Sequence, residues 1–132
     1  MLRAYFLACD FYPQILFAGD KPDLVPLLDA LDELTDFGQP ISLQQDSRIY
    51  LQDFSLSLAL CEAEAEGGVF ELDAMRFEWR MSKDTALDFY QDLEDLLCQP
   101  ELSGSLFFEM LRLDEIKIKI SMNEFDDSYL QN

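Results

Sequence analysis

The sequence predicts an α+β fold: a mainly antiparallel sheet with two packed helices, in the order β-β-α-β-β-β-β-α-β-β. Two stretches repeat apolar residues at helical spacing, and shorter stretches around them alternate apolar and polar residues, as half-buried strands do. The chain has 132 residues, of which 49% are hydrophobic. That length supports a core without a metal or disulfide. We therefore expect one domain over residues 1–122 and an acidic tail over residues 123–132.

The first three elements are predicted as two strands and a helix. Residues 2–9 and 14–18 are the strands. The helix is expected to be capped by Asp23, to carry Pro26 in its first turn, and to stop before Gly38. Its apolar stripe consists of Leu24, Leu27, Leu28, Leu31 and Leu34.

The middle of the chain predicts further strands, including a long hairpin. Residues 41–45 and 49–52 are short strands. A strand from Phe54 extends to Glu66, turns at Gly67–Gly68, and returns as one strand over Val69–Met81. In this register Leu60 faces Met75, Leu58 faces Phe77 and Leu56 faces Trp79.

A second helix and a final strand pair complete the predicted fold. Ser82 or Asp84 caps the helix, which runs to about Cys98. Its expected apolar stripe is Leu87, Tyr90, Leu93 and Leu97, flanked by Ala86 and Leu96. Residues 105–111 and 115–122 form a hairpin, and the lysines at 117 and 119 favour an exposed or edge position for the last strand.

The predicted elements also allow a βαββ pseudo-repeat, although few residues are identical between its two copies. A strand, a helix and a strand pair occur from Gln14 to about Leu60 and again from Phe77 to Met122. At an offset of about 62 residues, apolar positions correspond in four pairs: Phe17 and Trp79, Leu27 and Phe89, Leu31 and Leu93, and Leu34 and Leu96.

The charge of the chain restricts its partners. Asp and Glu number 27 and Lys and Arg number 9, which gives a formal net charge of −18. Such a surface repels phosphates and anionic lipid, so neither direct nucleic acid binding nor membrane binding is expected. A basic protein is the expected partner, while the alternative is that the charge only keeps the protein soluble.

The residue types that most enzymes use are missing from the sequence. The chain has no histidine, and it has no glycine-rich phosphate-binding motif. We therefore expect no enzymatic activity, no cofactor and no metal. Cys9, Cys61 and Cys98 are widely spaced and are expected to be buried thiols. With no signal peptide in the sequence, we expect a cytoplasmic protein.

Two acidic clusters are the candidate partner-binding residues. In the predicted hairpin, five acidic residues project from one face, with Glu64 opposite Glu71 and Glu62 opposite Asp73. Like charges at such positions repel one another, which indicates a cationic partner; the alternative is a solvated hairpin tip. The candidates are Glu62, Glu64, Glu66, Glu71 and Asp73 on the hairpin, and Asp84, Asp88, Asp92 and Asp95 along the second helix.

Residues 67–120 resemble the WapI type of bacterial immunity proteins. The resemblance lies in a strand, a helix with the apolar pattern of that group, an aromatic strand after a glycine, and a last hydrophobic strand. The residues that carry it are Leu87, Tyr90, Glu94 and Leu97, then Gly104, Phe107 and Phe108, then Ile116 to Ile120. The resemblance covers under half of the chain. It implies a cytoplasmic antitoxin that neutralises a toxin in competition between bacteria, and it implies no catalytic residues.

Two other classes of protein share the size and charge of this chain. Type III secretion chaperones are small, acidic and α+β, but they open with an amphipathic helix, whereas this chain opens with the strand-like LRAYFLAC. A nucleic acid mimic that blocks an enzyme is the third hypothesis, and it predicts carboxylates spaced like phosphates.

Overall fold

A computed structural model describes residues 1–8, 13–110 and 115–123, and its elements confirm the α+β class. They follow the predicted order of strands and helices, with the predicted return strand of the long hairpin divided into two strands. The elements are β1 (Leu2–Leu7), β2 (Gln14–Gly19), α1 (Lys21–Phe37), β3 (Ile41–Ser42), β4 (Ile49–Gln52), β5 (Ser55–Leu60), β6 (Gly68–Asp73), β7 (Arg76–Met81), α2 (Lys83–Cys98), β8 (Gly104–Phe108) and β9 (Lys117–Met122). Short 3₁₀ turns lie at Leu43–Gln45 and Glu64–Glu66. The predicted tail, residues 123–132, lies outside the described residues apart from Asn123.

The strands form two mixed sheets. One has the order β4-β1-β2-β9-β8 and the other has the order β3-β5-β7-β6. The pairs β1–β2, β3–β5, β6–β7 and β8–β9 are antiparallel. The pairs β1–β4, β2–β9 and β5–β7 are parallel. Because β9 lies between β2 and β8, the expectation that its lysines mark an edge strand is wrong.

The predicted hairpin with its turn at Gly67–Gly68 is also wrong. The predicted return strand is divided into β6 and β7, which turn at Ala74–Met75, where Met75 has a φ of 57°. β5 and β7 are parallel, so Leu56 pairs with Phe77 and Leu58 with Trp79. Every second residue is apolar on both strands, so apolar residues face each other in the predicted antiparallel register and in the parallel one.

The predicted repeat is present in the fold, and its two halves exchange strands. Adding 62 to each residue number turns the bounds of β2 into those of β7, the bounds of β5 into those of β9, and the start of α1 into the start of α2. The pairing of β2 with β9 therefore corresponds to the pairing of β7 with β5. The last strand of each half lies in the sheet of the other half. We call residues 1–60 the first half and residues 68–122 the second half.

Each helix packs an apolar face into one shared core. α1 begins at Lys21 after the N-cap Asp20, whose backbone N–H donates to Asp23 Oδ2 at 3.0 Å, so the predicted cap at Asp23 is wrong by one turn. α2 begins after Ser82, whose side chain accepts a hydrogen bond from the backbone N–H of Thr85, as predicted. The buried residues are Leu24, Pro26, Leu27, Ala30, Leu31 and Leu34 on α1 and Ala86, Phe89, Leu93 and Leu96 on α2.

Two side chains predicted to be buried are exposed. The buried face of α2 is turned by about one residue from the predicted stripe, so Leu87 is 48% exposed. Cys98 is exposed and Cys61 is partly buried, whereas both thiols were expected to be buried; Cys9 lies outside the described residues. Of the helices described, none has the length and apolar character needed to cross a membrane.

Candidate partner-binding site: an acidic groove beside α2

The five acidic residues of the predicted hairpin face do not form one face. Glu62, Glu64 and Glu66 lie in the segment between β5 and β6, and Glu71 and Asp73 lie toward the other end of β6. Glu71 pairs with Phe77 rather than with Glu64, and Asp73 pairs with Arg76 rather than with Glu62. The predicted repulsion across strands is therefore absent from these pairs.

Glu64 anchors the 3₁₀ turn to the start of α2. Its carboxylate accepts hydrogen bonds from the hydroxyl of Ser82 and from Thr85 Oγ1, the latter at 2.6 and 2.8 Å. These donors favour the charged carboxylate and lower the pKa of Glu64 from its ordinary value. Glu64 is thus placed beside α2 rather than at a hairpin tip.

Glu66, Glu71 and Asp73 make local contacts. A carboxylate oxygen of Glu66 accepts from the backbone N–H of Ala63 at 3.0 Å. Glu71 accepts from the backbone N–H of Met75 at 3.0 Å, across the β6–β7 turn, and Asp73 lies 3.7 Å from Arg76. These contacts hold two turns and give the three carboxylates structural roles.

The four aspartates of α2 form an exposed row along the helix. Asp84, Asp88, Asp92 and Asp95 are all exposed, and their spacing places them along one side of the helix. Asp95 accepts a hydrogen bond from Gln91 Nε2 at 2.9 Å. Within the described residues, none of the four forms an ion pair with a lysine or arginine.

A groove of about 380 Å³, which we call the α2 groove, lies between α2 and the end of β8. It combines carboxylates on its walls with aromatic and sulfur-containing side chains. It is lined by Glu64, by Thr85, Asp88, Phe89 and Asp92 of α2, and by Phe107, Phe108, Glu109 and Met110. Three candidates from the sequence, Glu64, Asp88 and Asp92, meet here.

The lining of the α2 groove rests on packed aromatic side chains. The rings of Phe89 and Phe108 are 5.7 Å apart, and Trp79 packs edge-on against both at 5.4 and 5.1 Å. Phe107 is 49% exposed. Phe107 is not among the candidate residues predicted from the sequence, because its exposure depends on how β8 is turned against the rest of the fold.

The β9 lysines contact the β8 side of this groove. Lys117 Nζ lies 3.0 Å from a carboxylate oxygen of Glu109, and Lys119 Nζ lies 5.5 Å from the centre of the Phe107 ring. Glu109 therefore has a cation within the chain. Asp88 and Asp92, on the opposite wall, have no such ion pair among the described residues.

A corresponding groove, the α1 groove, lies beside the first helix. It has a volume of about 510 Å³ and is lined by Met1, Pro22, Asp23, Val25, Pro26, Ser47 and Arg48. The guanidinium of Arg48 is bonded to Asp29 Oδ2 of α1 and to Asp46 Oδ2, each at 2.9 Å. The hydrogen bonds that Arg48 donates to the Asp46 carboxylate lower the pKa of Asp46. This groove thus contains an arginine of the chain itself, paired with a carboxylate of the helix.

No group of three or more Cys, Asp or Glu side chains in the described part of the chain is arranged to hold a metal ion. The sequence matches no protein-family model and shows no significant match to a curated protein. The candidate site is therefore defined by the geometry and charge of the α2 row and the α2 groove.

Proposed function

We propose that this chain is an immunity protein that binds a basic toxin domain through the acidic surface of α2 and thereby neutralises it. The observation that carries the proposal is the exposed aspartate row of α2, which lies beside a groove with an aromatic lining. Interfaces commonly combine aromatic anchors with polar groups that fix orientation.

The overall charge supports a cationic partner. A net charge of −18 creates a long-range field that attracts a positively charged protein and speeds its association. Toxins that cleave nucleic acid need basic clefts to bind phosphates, and such a cleft complements a row of carboxylates. The same field repels nucleic acid, so we expect the chain to bind the toxin itself and not the nucleic acid that the toxin cleaves.

The acidic row also has a cost for the free protein. Asp88 and Asp92 are four residues apart on one helix, and like charges at this spacing are destabilising by a few tenths of a kcal/mol. Asp84 lies in the first turn, where the helix dipole favours a negative charge, but Asp95 lies near the C-terminus, where it does not. A cationic partner relieves this repulsion when it binds.

The proposal is tested by capturing partners from the source cells and measuring the binding of the purified partner at increasing salt. We expect a basic domain whose affinity falls steeply with salt concentration. Produced alone, that domain should stop cell growth, and co-production of this chain should restore it. A partner that binds equally well at low and high salt, or one that is harmless, contradicts the proposal.

A charge-matched pair of variants locates the interface. Asp84→Asn, Asp88→Asn, Asp92→Asn and Asp95→Asn are combined in one variant, and we expect it to bind the toxin at least about tenfold more weakly. The control changes four exposed acidic residues elsewhere: Glu33→Gln, Asp36→Asn, Asp53→Asn and Glu101→Gln. An equal loss in both variants assigns the effect to net charge and contradicts a site on α2.

A further inference from the structure

We infer that the α2 groove receives an arginine side chain of the partner, whose guanidinium pairs with Asp88 and Asp92. This inference rests on the proposed function, because it names the chemistry of the partner at the same surface. It is carried by the charge and the aromatic lining of the α2 groove, and it is supported by a comparison with the α1 groove, whose lining includes an arginine of the chain itself.

In the first half, the chain itself supplies the cation. The segment that follows β3 brings Arg48 to the lining of the α1 groove, and its guanidinium bonds to Asp29, which lies on α1 at the position that Gln91 has on α2. In the second half, the described residues after β8 that line the α2 groove are Glu109, which pairs with Lys117 of β9, and Met110. The second groove therefore has carboxylates on its helix and a methionine on the facing segment.

The two helices also differ in the residue types at matching positions. Subtracting 62 from 88 and 92 gives Pro26 and Ala30, both buried on α1. At the matching positions of α2 the chain has two exposed aspartates. An aspartate is rarely buried without a partner, so the side of α2 that bears Asp88 and Asp92 is covered most favourably by a surface that brings positive charge.

The lining of the groove favours arginine over lysine. A long cationic side chain can lay its apolar stem on Phe89, Phe108 and Met110 while its charged end reaches the carboxylates. The planar guanidinium can donate to two carboxylates at once and stacks on aromatic rings, which a lysine ammonium does less well. Two aspartates four residues apart on one helical face are suitably spaced for such a bridge.

The molecule already contains this combination on the outer face of its second sheet. The Arg80 guanidinium lies 4.7 Å from the centre of the Phe70 ring, and Arg80 Nε bonds to Glu78 Oε1 at 2.5 Å. An arginine held by a carboxylate and an aromatic ring therefore already occurs in this fold. The α2 groove offers the same two components to a partner.

The experiment titrates the full chain with acetylated hexa-arginine amide and, separately, with acetylated hexa-lysine amide at physiological salt. Binding is followed by amide and indole NMR signals. Trp79 is the only tryptophan of the chain and packs against Phe89 and Phe108, so its indole signal reports on the groove. We expect saturable binding of the arginine peptide with shifts at Asp88, Asp92, Met110 and Trp79, and about fivefold weaker binding of the lysine peptide.

Two pairs of substitutions test the location with equal change of charge. Asp88→Asn with Asp92→Asn should weaken binding of the arginine peptide about tenfold, whereas Asp84→Asn with Asp95→Asn should weaken it less than about threefold. Met110→Arg should place a guanidinium of the chain itself in the α2 groove beside Asp88 and Asp92, and it should block the peptide and raise the melting temperature. Gln52→Arg, which adds the same charge at an exposed position of β4, at the opposite edge of the sheet from β8, is its control.

The outcomes separate this inference from the proposed function. Equal weakening by the two aspartate pairs, equal affinity for the two peptides, or unchanged binding by Met110→Arg would each overturn the arginine site. The proposed function would survive those results if the toxin still binds with steep salt dependence. Failure of the chain to bind any basic domain would remove the proposed function and this inference together.

Discussion

The flanks of α1 and α2 occupy corresponding places in the two halves and differ in residue type. On α1 the flank includes the buried residues Pro26 and Ala30, and Arg48 from the following segment pairs with Asp29. On α2 the flank presents Asp88 and Asp92 to solvent. The scaffold is shared, because the core positions of the two helices correspond in sequence and are buried in both halves.

The residues on the α1 flank contribute to the stability of the free protein, whereas the aspartates on the α2 flank do not. An apolar residue on a helix flank stabilises the fold by removing apolar surface from water. An arginine bonded to a nearby carboxylate has its charge compensated by that carboxylate. Two neighbouring aspartates without a cation contribute repulsion. Among the residues that the structure describes, the first half thus supplies a cation to its helix, whereas the aspartates of the second half have no ion pair and offer a surface to a partner.

The largest expected effect tests whether the two halves form one cooperative unit. Phe17 and Trp79 are corresponding, fully buried residues of β2 and β7. Phe17→Ala and Trp79→Ala should each lower the free energy of unfolding by about 3–5 kcal/mol, because each leaves a large cavity in the shared core. Urea unfolding followed by circular dichroism measures the change and avoids dependence on the tryptophan signal.

The exchanged strands predict a single transition in both variants. β5 pairs with β7 of the second half and β9 pairs with β2 of the first, so neither sheet persists when the other is lost. A biphasic curve in either variant, with one half unfolding before the other, would break the comparison and show two independent units.

A smaller effect is expected from exchanging the residue types of the two flanks. Ala30→Asp places a carboxylate at a buried position of α1, and we expect it to lower the free energy of unfolding by about 2–3 kcal/mol. Asp92→Ala at the matching position of α2 should change it by no more than about 0.5 kcal/mol, or raise it slightly. Both are measured by urea unfolding in the same buffer.

This pair of substitutions sharpens the comparison because both change the same residue types at matching positions. If Asp92→Ala lowers the free energy of unfolding as much as Ala30→Asp does, then Asp92 stabilises the free protein, which contradicts a role in partner binding alone. If Ala30→Asp is tolerated without loss, the α1 flank is open as well, and the two halves do not differ in the way described.

The sequence predicts the helices and most strands because their signals are local. The apolar stripe of α1, the cap at Ser82 and the alternation in β9 each involve residues close together in the chain. The same spacing predicts the aspartate row of α2. The repeat was also visible, because Leu27, Leu31 and Leu34 and their counterparts on α2 fill the same core positions.

The parts of the fold and the site that the sequence does not predict depend on long-range geometry. The parallel pairing of β5 with β7 places Leu58 against Trp79, but an antiparallel pairing satisfies the same alternation. The α2 groove forms only because β8 ends beside α2, which brings Phe107 and Met110 to Asp88. No residue spacing within either segment contains that information.

The smallest expected effect concerns Glu64, which joins the segment before β6 to the cap of α2. The pKa of Glu64 is lowered because hydroxyls of Ser82 and Thr85 donate to its carboxylate. A lowered pKa in the folded state means that the contact stabilises above the ordinary glutamate pKa and is lost as pH falls through the lower, folded-state value. Glu64→Gln should therefore lower the melting temperature slightly at pH 7, and this difference should shrink below about pH 4. Glu62→Gln removes the same charge from the same segment, and equal pH dependence in both variants would show that general repulsion, and not the contact with α2, sets the effect.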